Sequence, residues 1–153
     1  PDVKYFSDGM KGNDALKIFE DLYADFDIAK ALLLMKRLDL NPNMRIKSMS
    51  KGMKEKFQLC LVLSRKARIY ILDEPIGGVD PAARELILDI ILNNYAEDAI
   101  VLISTHLISD IEKIFDDVIF LKYGELAMHK NAEQLRAETG KSVDEVFREV
   151  FKC

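Results

Sequence analysis

Over residues 1–66 the apolar positions recur at helical spacing. Leu16, Phe19, Leu22 and Tyr23 fall broadly on one side of a helix predicted over 14–24, with Asn13 placed to cap it. Ala31, Leu32, Met35 and Leu38 mark a second helix, capped by Asp27 and broken by Asn41-Pro42-Asn43. A third is predicted over 52–64, rich in apolar residues (Phe57, Leu59, Cys60, Leu61, Val62 and Leu63). Ahead of all three, residues 2–12 are polar and turn-rich, with Tyr5 and Phe6 as candidate anchors. Past residue 67 the pattern changes. Ile69-Tyr70-Ile71-Leu72 is a continuous apolar run, read as a short strand buried on both faces. Residues 99–103 form a second such run, and the helical pattern between the two opens at Asp80-Pro81, a good cap followed by a first-turn proline. Strand, helix, strand is a βαβ unit, with a right-handed crossover expected. A short helix is expected after His106, ending near Phe115. Residues 118–121 read as a strand that turns at Tyr123-Gly124 into 125–128, a hairpin. The tail reads as helix: Ser142 with Glu145 is a capping-box pattern, and Val143, Val146, Phe147, Val150 and Phe151 make an apolar stripe expected to pack on the body. The fold class is therefore α/β, with a partial parallel sheet, an N-terminal helical subdomain and a helical C-terminal tail.

The end of the first strand carries the candidate chemistry. A buried strand should close on an apolar residue or a turn; this one closes on two adjacent carboxylates, Asp73 and Glu74, and Pro75 then stops the ladder. Ligands of open α/β folds bind at the carboxyl edge of the sheet. There, one carboxylate can hold a hydrated Mg²⁺ that bridges nucleotide phosphates, and the other can orient an attacking water. An exposed turn bearing two acids is the competing account of this strand end taken alone. The second strand ends in Ser104-Thr105-His106. His106 alone reads as a surface residue or a helix cap. On the same sheet edge as Glu74 it becomes a contact for a terminal phosphate.

Composition narrows the partners. The chain has 153 residues, 49% of them hydrophobic, which is enough for a core of its own. With 22 basic and 26 acidic residues the net charge is −4, which argues against a nucleic-acid binder with a broad basic surface. Lys51, Lys54 and Lys56 cluster locally and read as a solvated helix face. Cys60 and Cys153 make no disulfide framework, so a reducing, cytoplasmic setting is expected. No apolar stretch is long enough to span a bilayer, so any membrane role is expected to come through a partner.

These motifs, in this order, resemble the ATP-binding subunit of ABC transporters, a P-loop NTPase-like family. The strand ending in Asp73 resembles the Walker B strand, which implies that Asp73 lies on the Mg²⁺ side. Glu74 matches the catalytic glutamate, Gly77-Gly78-Val79-Asp80 the D-loop that communicates between paired subunits, and His106 the switch histidine. Met49-Ser50-Lys51-Gly52-Met53 stands where the family has its signature. The resemblance implies nucleotide contacts from Ser50, Lys51, Gly52 and Asp80, with ATP and Mg²⁺ as cofactors. It implies two partners: a second ATPase subunit, whose site the signature completes, and a membrane permease. Independently of the family, a helix start at Ser50 to Gly52 offers free N–H groups and a positive dipole end to a phosphate, while Ser48 or Ser50 as an ordinary cap is the plain alternative.

The chain departs from the family at several points. Lys51 replaces the first signature glycine and Met53 the glutamine, a form similar to exporters of the bacitracin-resistance type. Lys51 can add positive charge near the partner's phosphate or point to solvent. Asp2 falls where the family places the Q-loop glutamine. No Gly-x-x-x-x-Gly-Lys-Ser/Thr occurs; Gly140-Lys141-Ser142 mimics its end, but position 135 is Leu135 and the triplet follows no strand. The chain starts at Pro1, about where the family's phosphate loop has already passed. The expectation is a C-terminal portion of a longer ATPase, with residues 1–66 as the signature subdomain, 67–130 as half of the α/β core and 131–153 as the tail. Alone it should not hydrolyse ATP. The rival readings are a non-catalytic module donating its signature in trans and a soluble ABC ATPase without a permease. Loss of neighbouring strands would leave open edges, so self-association or a rearranged sheet is expected.

Overall fold

A computed structural model describes residues 6, 7 and 9–151. Asp2, Tyr5 and Cys153 lie outside the described residues. The chain divides into two compact units, 1–105 and 106–153, each with its own interior.

The first unit opens with three helices: α1 (Gly12–Leu22), α2 (Ile28–Arg37) and α3 (Lys51–Leu63). Asn13 is inside α1 rather than at its cap. The Lys11 N–H donates to the Asp14 carboxylate at 2.9 Å, and the N–H groups of Gly12 and Asn13 reach the carbonyls of Met44 and Pro42 at 3.1 and 2.8 Å. The orphan donors of the first turn are thus met by a loop distant in sequence. Gly12 suits this close approach, since a Cβ would stand 3.0 Å from the Pro42 carbonyl oxygen and force the loop to give by a few tenths of an ångström. Asp27 caps α2 as expected, accepting from Lys30 N–H at 2.9 Å. Leu16, Leu34, Met35 and Phe57 are fully buried among these helices. Phe6 packs beside Phe19 and Phe57, with ring centroids 6.4 and 6.1 Å away. Cys60 is buried on α3, and burial pushes its thiol up to about 12.

The α/β part of this unit is β1 (Ile69–Asp73), the crossover helix α4 (Pro81–Leu92) and β2 (Ile100–Ser104). The strands pair in parallel, from Ile69 opposite Ile100 to Asp73 opposite Ser104. One expectation is corrected here. β1 is not buried on both faces: Tyr70 and Leu72 are 1% and 7% exposed, but Ile69 and Ile71 are 56% and 70% exposed. Both faces of a parallel sheet are covered only when elements lie on each side, and among the described residues the outward face of this pair stays open.

The second unit contains the short helix α5 (Ile108–Ile111), the hairpin strands β3 (Asp117–Lys122) and β4 (Glu125–Asn131), and the helices α6 (Ala132–Thr139) and α7 (Val143–Phe151). The hairpin is antiparallel and bulged between Phe120 and Leu121. Val118 and Phe120 point inward to Leu135, Val143 and Val146, with Phe147, Val150 and Phe151 packed against them, so the apolar stripe of the tail serves this unit's core. Ser142 and Glu145 form the capping box as expected, with bonds of 3.1 and 2.8 Å. Gly140 ends α6 with φ 67°, a left-handed C-cap, so the phosphate-loop mimic is a helix stop followed by a helix start.

Candidate active site

The register of the parallel pair builds the site. Because Asp73 is opposite Ser104, the last residues of both strands meet at the carboxyl edge. The Ser104 hydroxyl donates to Asp73 Oδ1. One residue on, the chain of β1 turns sharply. Glu74 adopts left-handed backbone with φ 47°. Its N–H donates to the Ser104 carbonyl at 2.9 Å, and its carbonyl accepts from Gly77 N–H at 3.0 Å, closing a tight turn through Pro75 and the buried Ile76. The Thr105 hydroxyl donates to Glu74 Oε2 at 3.2 Å. Two carboxylates on consecutive residues thus take hydroxyl donors from consecutive residues at the end of the other strand. Asp73 is exposed and Glu74 is half-buried.

Asp80 sits past the turn. It is the N-cap of α4, and its Oδ1 accepts from Ala83 N–H at 3.1 Å. Gly78 ahead of it holds φ 71°. Ser50 is the N-cap of α3, its hydroxyl accepting from Met53 N–H at 3.2 Å. The helix begins at Lys51, and first-turn N–H groups such as those of Lys51 and Gly52 have no acceptor within their own helix. Lys51 points to solvent, its side chain 85% exposed and 4.0 Å from the Glu55 carboxylate. The structure therefore gathers Asp73, Glu74, Ser104 and Thr105 at one sheet edge, and puts Ser50, Lys51 and Gly52 at a helix start on another element. His106 directly follows Thr105 and is the first residue of the second unit.

Sequence reasoning missed the two hydroxyls as carboxylate partners. No local signal marks them: it is the register of the parallel pair that sets Ser104 against Asp73. Among the described residues no group of three or more His, Cys, Asp or Glu side chains could hold a metal by itself. Mg²⁺ takes one or two carboxylates and fills its remaining positions with water and phosphate oxygens, and the exposed Asp73 at this edge is a carboxylate of that kind.

A family model described as "AAA domain, putative AbiEii toxin, Type IV TA system" matches residues 2–109. The chain belongs to this AAA-domain family. Its curated relatives are ABC transporter ATP-binding proteins. This AAA chain is 28% identical to the ABC transporter ATP-binding protein YtrB of Bacillus subtilis over 134 residues, 87% of its own length and 46% of that protein. It is 33% identical to the Nod factor export ATP-binding protein I of Rhizobium johnstonii over 97 residues, 63% of the chain and 31% of the relative. The chain thus spans less than half the length of either relative. Among solved structures, the ATP-binding subunit of an ABC transporter superposes with a TM-score of 0.85 at 23% identity, covering 99% of this chain and 66% of that one. At that identity the likeness speaks for the fold, which is the P-loop NTPase-like α/β fold expected from the sequence.

Proposed function

We propose that this chain is the signature-bearing portion of an ABC ATPase subunit that couples ATP hydrolysis to export through a separate membrane permease. The observation that carries the proposal is the pair Asp73 and Glu74 at the carboxyl end of β1, each with a hydroxyl partner from the end of the neighbouring strand. Asp73 would hold a hydrated Mg²⁺, which would neutralise charge on the phosphate oxygens. Glu74 orients a water and accepts its proton as the water oxygen bonds to the terminal phosphorus and the bridging P–O bond to ADP breaks. His106 contacts the terminal phosphate, and Asp80 lies in the segment that communicates with a second ATPase subunit. Ser50, Lys51 and Gly52 complete that second subunit's site from the start of α3.

The grip on ATP comes from a phosphate loop outside this sequence, so this chain alone does not turn ATP over. Within the signature subdomain of residues 1–66, the helical region from about Asp14 to Ser64 faces the permease; 67–130 are the half of the core with the carboxylates, and 131–153 are the tail. The setting is the cytoplasmic face of the membrane, reached only through the permease. Three observations support this. Among the described residues no helix is long and apolar enough to cross a membrane. The net charge of −4 disfavours nucleic acid. A relative is named for export.

In the full-length protein, Glu74→Gln should trap ATP and lower steady-state turnover by at least about a hundredfold, on the scale of lost positioning and electrostatic terms. Undiminished turnover removes Glu74 from this role. Turnover by the isolated chain that disappears in Glu74→Gln overturns the assignment of the phosphate loop to another segment. The missing phosphate-loop motif also favours a second reading, a non-catalytic module that lends its signature to a complete ATPase. The codons preceding Pro1 decide: an in-frame Gly-x-x-x-x-Gly-Lys-Ser/Thr supports the ATPase, a start codon the module.

A further inference from the structure

We propose that Thr105 is a positioning residue for Glu74. The proposal rests on the reading of Glu74 as the water-orienting carboxylate. Three of the restraints on this residue come from its immediate neighbours in the turn and the adjacent strand. Its N–H is bonded to Ser104 O, its carbonyl to Gly77 N–H, and its carboxylate Oε2 to the Thr105 hydroxyl. The backbone at φ 47° lies in a region where a residue with a Cβ persists only when its surroundings hold it. A Cβ added at Gly77 would stand 3.2 Å from Glu74 O, 3.4 Å from its Cβ and 3.7 Å from Oε2. The turn therefore packs its own third residue against the length of the glutamate side chain.

A glutamate has three side-chain torsions, and orienting a water for attack requires one arrangement of them. Misplacing a reacting group by about 1 Å can cost on the order of a hundredfold in rate. Thr105 supplies the restraint at the far end of that side chain. Its hydroxyl donates to Oε2 at 3.2 Å and so holds that oxygen in one place. The parallel register sets where the donor comes from. Ser104 is aligned with Asp73, so the next residue of that strand's exit meets the next residue of β1's exit.

The test compares Thr105→Val, which keeps the shape and removes the hydroxyl, with Thr105→Ser, which keeps the hydroxyl and removes a methyl. In the full-length protein Thr105→Val should lower kcat about tenfold with KM for ATP unchanged, the pattern of an interaction that matters in the transition state only. Thr105→Ser should stay within about threefold of the parent. Crystal structures of the two variants should show the Glu74 carboxylate displaced in the valine protein and in place in the serine protein. Full kcat in Thr105→Val overturns the inference. So does a serine variant as slow as the valine one, because packing rather than the hydroxyl would then be the cause. Glu74→Gln in the same protein separates the two claims. If Glu74→Gln is inactive and Thr105→Val is fully active, only the positioning role fails. If Glu74→Gln is fully active, the catalytic reading fails, and an unmoved carboxylate in Thr105→Val then overturns the positioning role as well.

Discussion

Glu74 and Gly78 both hold left-handed backbone, at φ 47° and 71°, within one short turn. For Gly78 this is free of cost; for Glu74 it stores strain of about 1–2 kcal/mol. The turn keeps the expensive residue where chemistry asks for a carboxylate and uses glycine where nothing does. Gly78→Ala tests this directly. A Cβ there meets nothing within 4 Å, so any loss comes from backbone conformation alone. Denaturant unfolding should show a loss of about 1 kcal/mol. Gly52→Ala, in a helix and equally open, should instead hold stability or raise it by up to about 1 kcal/mol. In the full-length protein Gly52→Ala should lower turnover several-fold, because its methyl group impedes a phosphate approaching the helix start. A stable Gly52→Ala protein with full turnover would remove Gly52 from the nucleotide site.

Among the elements, β1 depends on one polar atom. Tyr70 is 1% exposed, and its hydroxyl donates to Arg65 O at 2.6 Å while accepting from Ala67 N–H at 3.2 Å and Ala96 N–H at 3.3 Å. It ties together the exit of α3, the approach to β1 and the turn after α4. Arg65 is fixed in turn by the Asp25 carboxylate at 2.8 Å and by the Tyr23 ring, 3.8 Å below its guanidinium. Tyr70→Phe leaves two amides and a carbonyl without this partner and should cost about 2–3 kcal/mol, read as a lower denaturation midpoint with unchanged slope. A change under about 0.5 kcal/mol would mean that water replaces the hydroxyl. These ties also explain what was legible. Asp27, Ser50, Asp80 and Ser142 cap helices through contacts three residues away, so local sequence announces them. The start of α1 is set by carbonyls of Met44 and Pro42, about 30 residues on, and gave no local signal. The exposure of one face of β1 was hidden for another reason. Ile69 and Ile71 are as apolar as Tyr70 and Leu72, so no alternation marks the open side. At the site, the carboxylates were readable because acids at a strand end are out of place. Ser104 and Thr105 are ordinary strand-end residues until the register is known.

At the scale of the molecule, the parallel pair leaves an open apolar face among the described residues. Ile69, Ile71, Ile100 and Leu102 are 56%, 70%, 64% and 47% exposed, and the register sets Ile69 beside Ile100 and Ile71 beside Leu102. Four adjoining aliphatic side chains, each about half in water, forfeit burial worth roughly 1 kcal/mol apiece. The strands beneath them also present outer edges, and a short flat apolar ribbon with open edges recruits further strands. The chain on its own should therefore self-associate, with light scattering showing mass that rises with protein concentration. The driving force is apolar, so added salt should not dissolve the assemblies, in contrast to association through ion pairs. Ile71→Thr combined with Leu102→Thr keeps β-branching at one position and polarity at both, and should return the chain to monomer with its helical circular dichroism intact. A parent chain that stays monomeric at high concentration rejects the argument. If the double variant still associates, the open edges or the other exposed apolar residues, rather than this face, carry the contact.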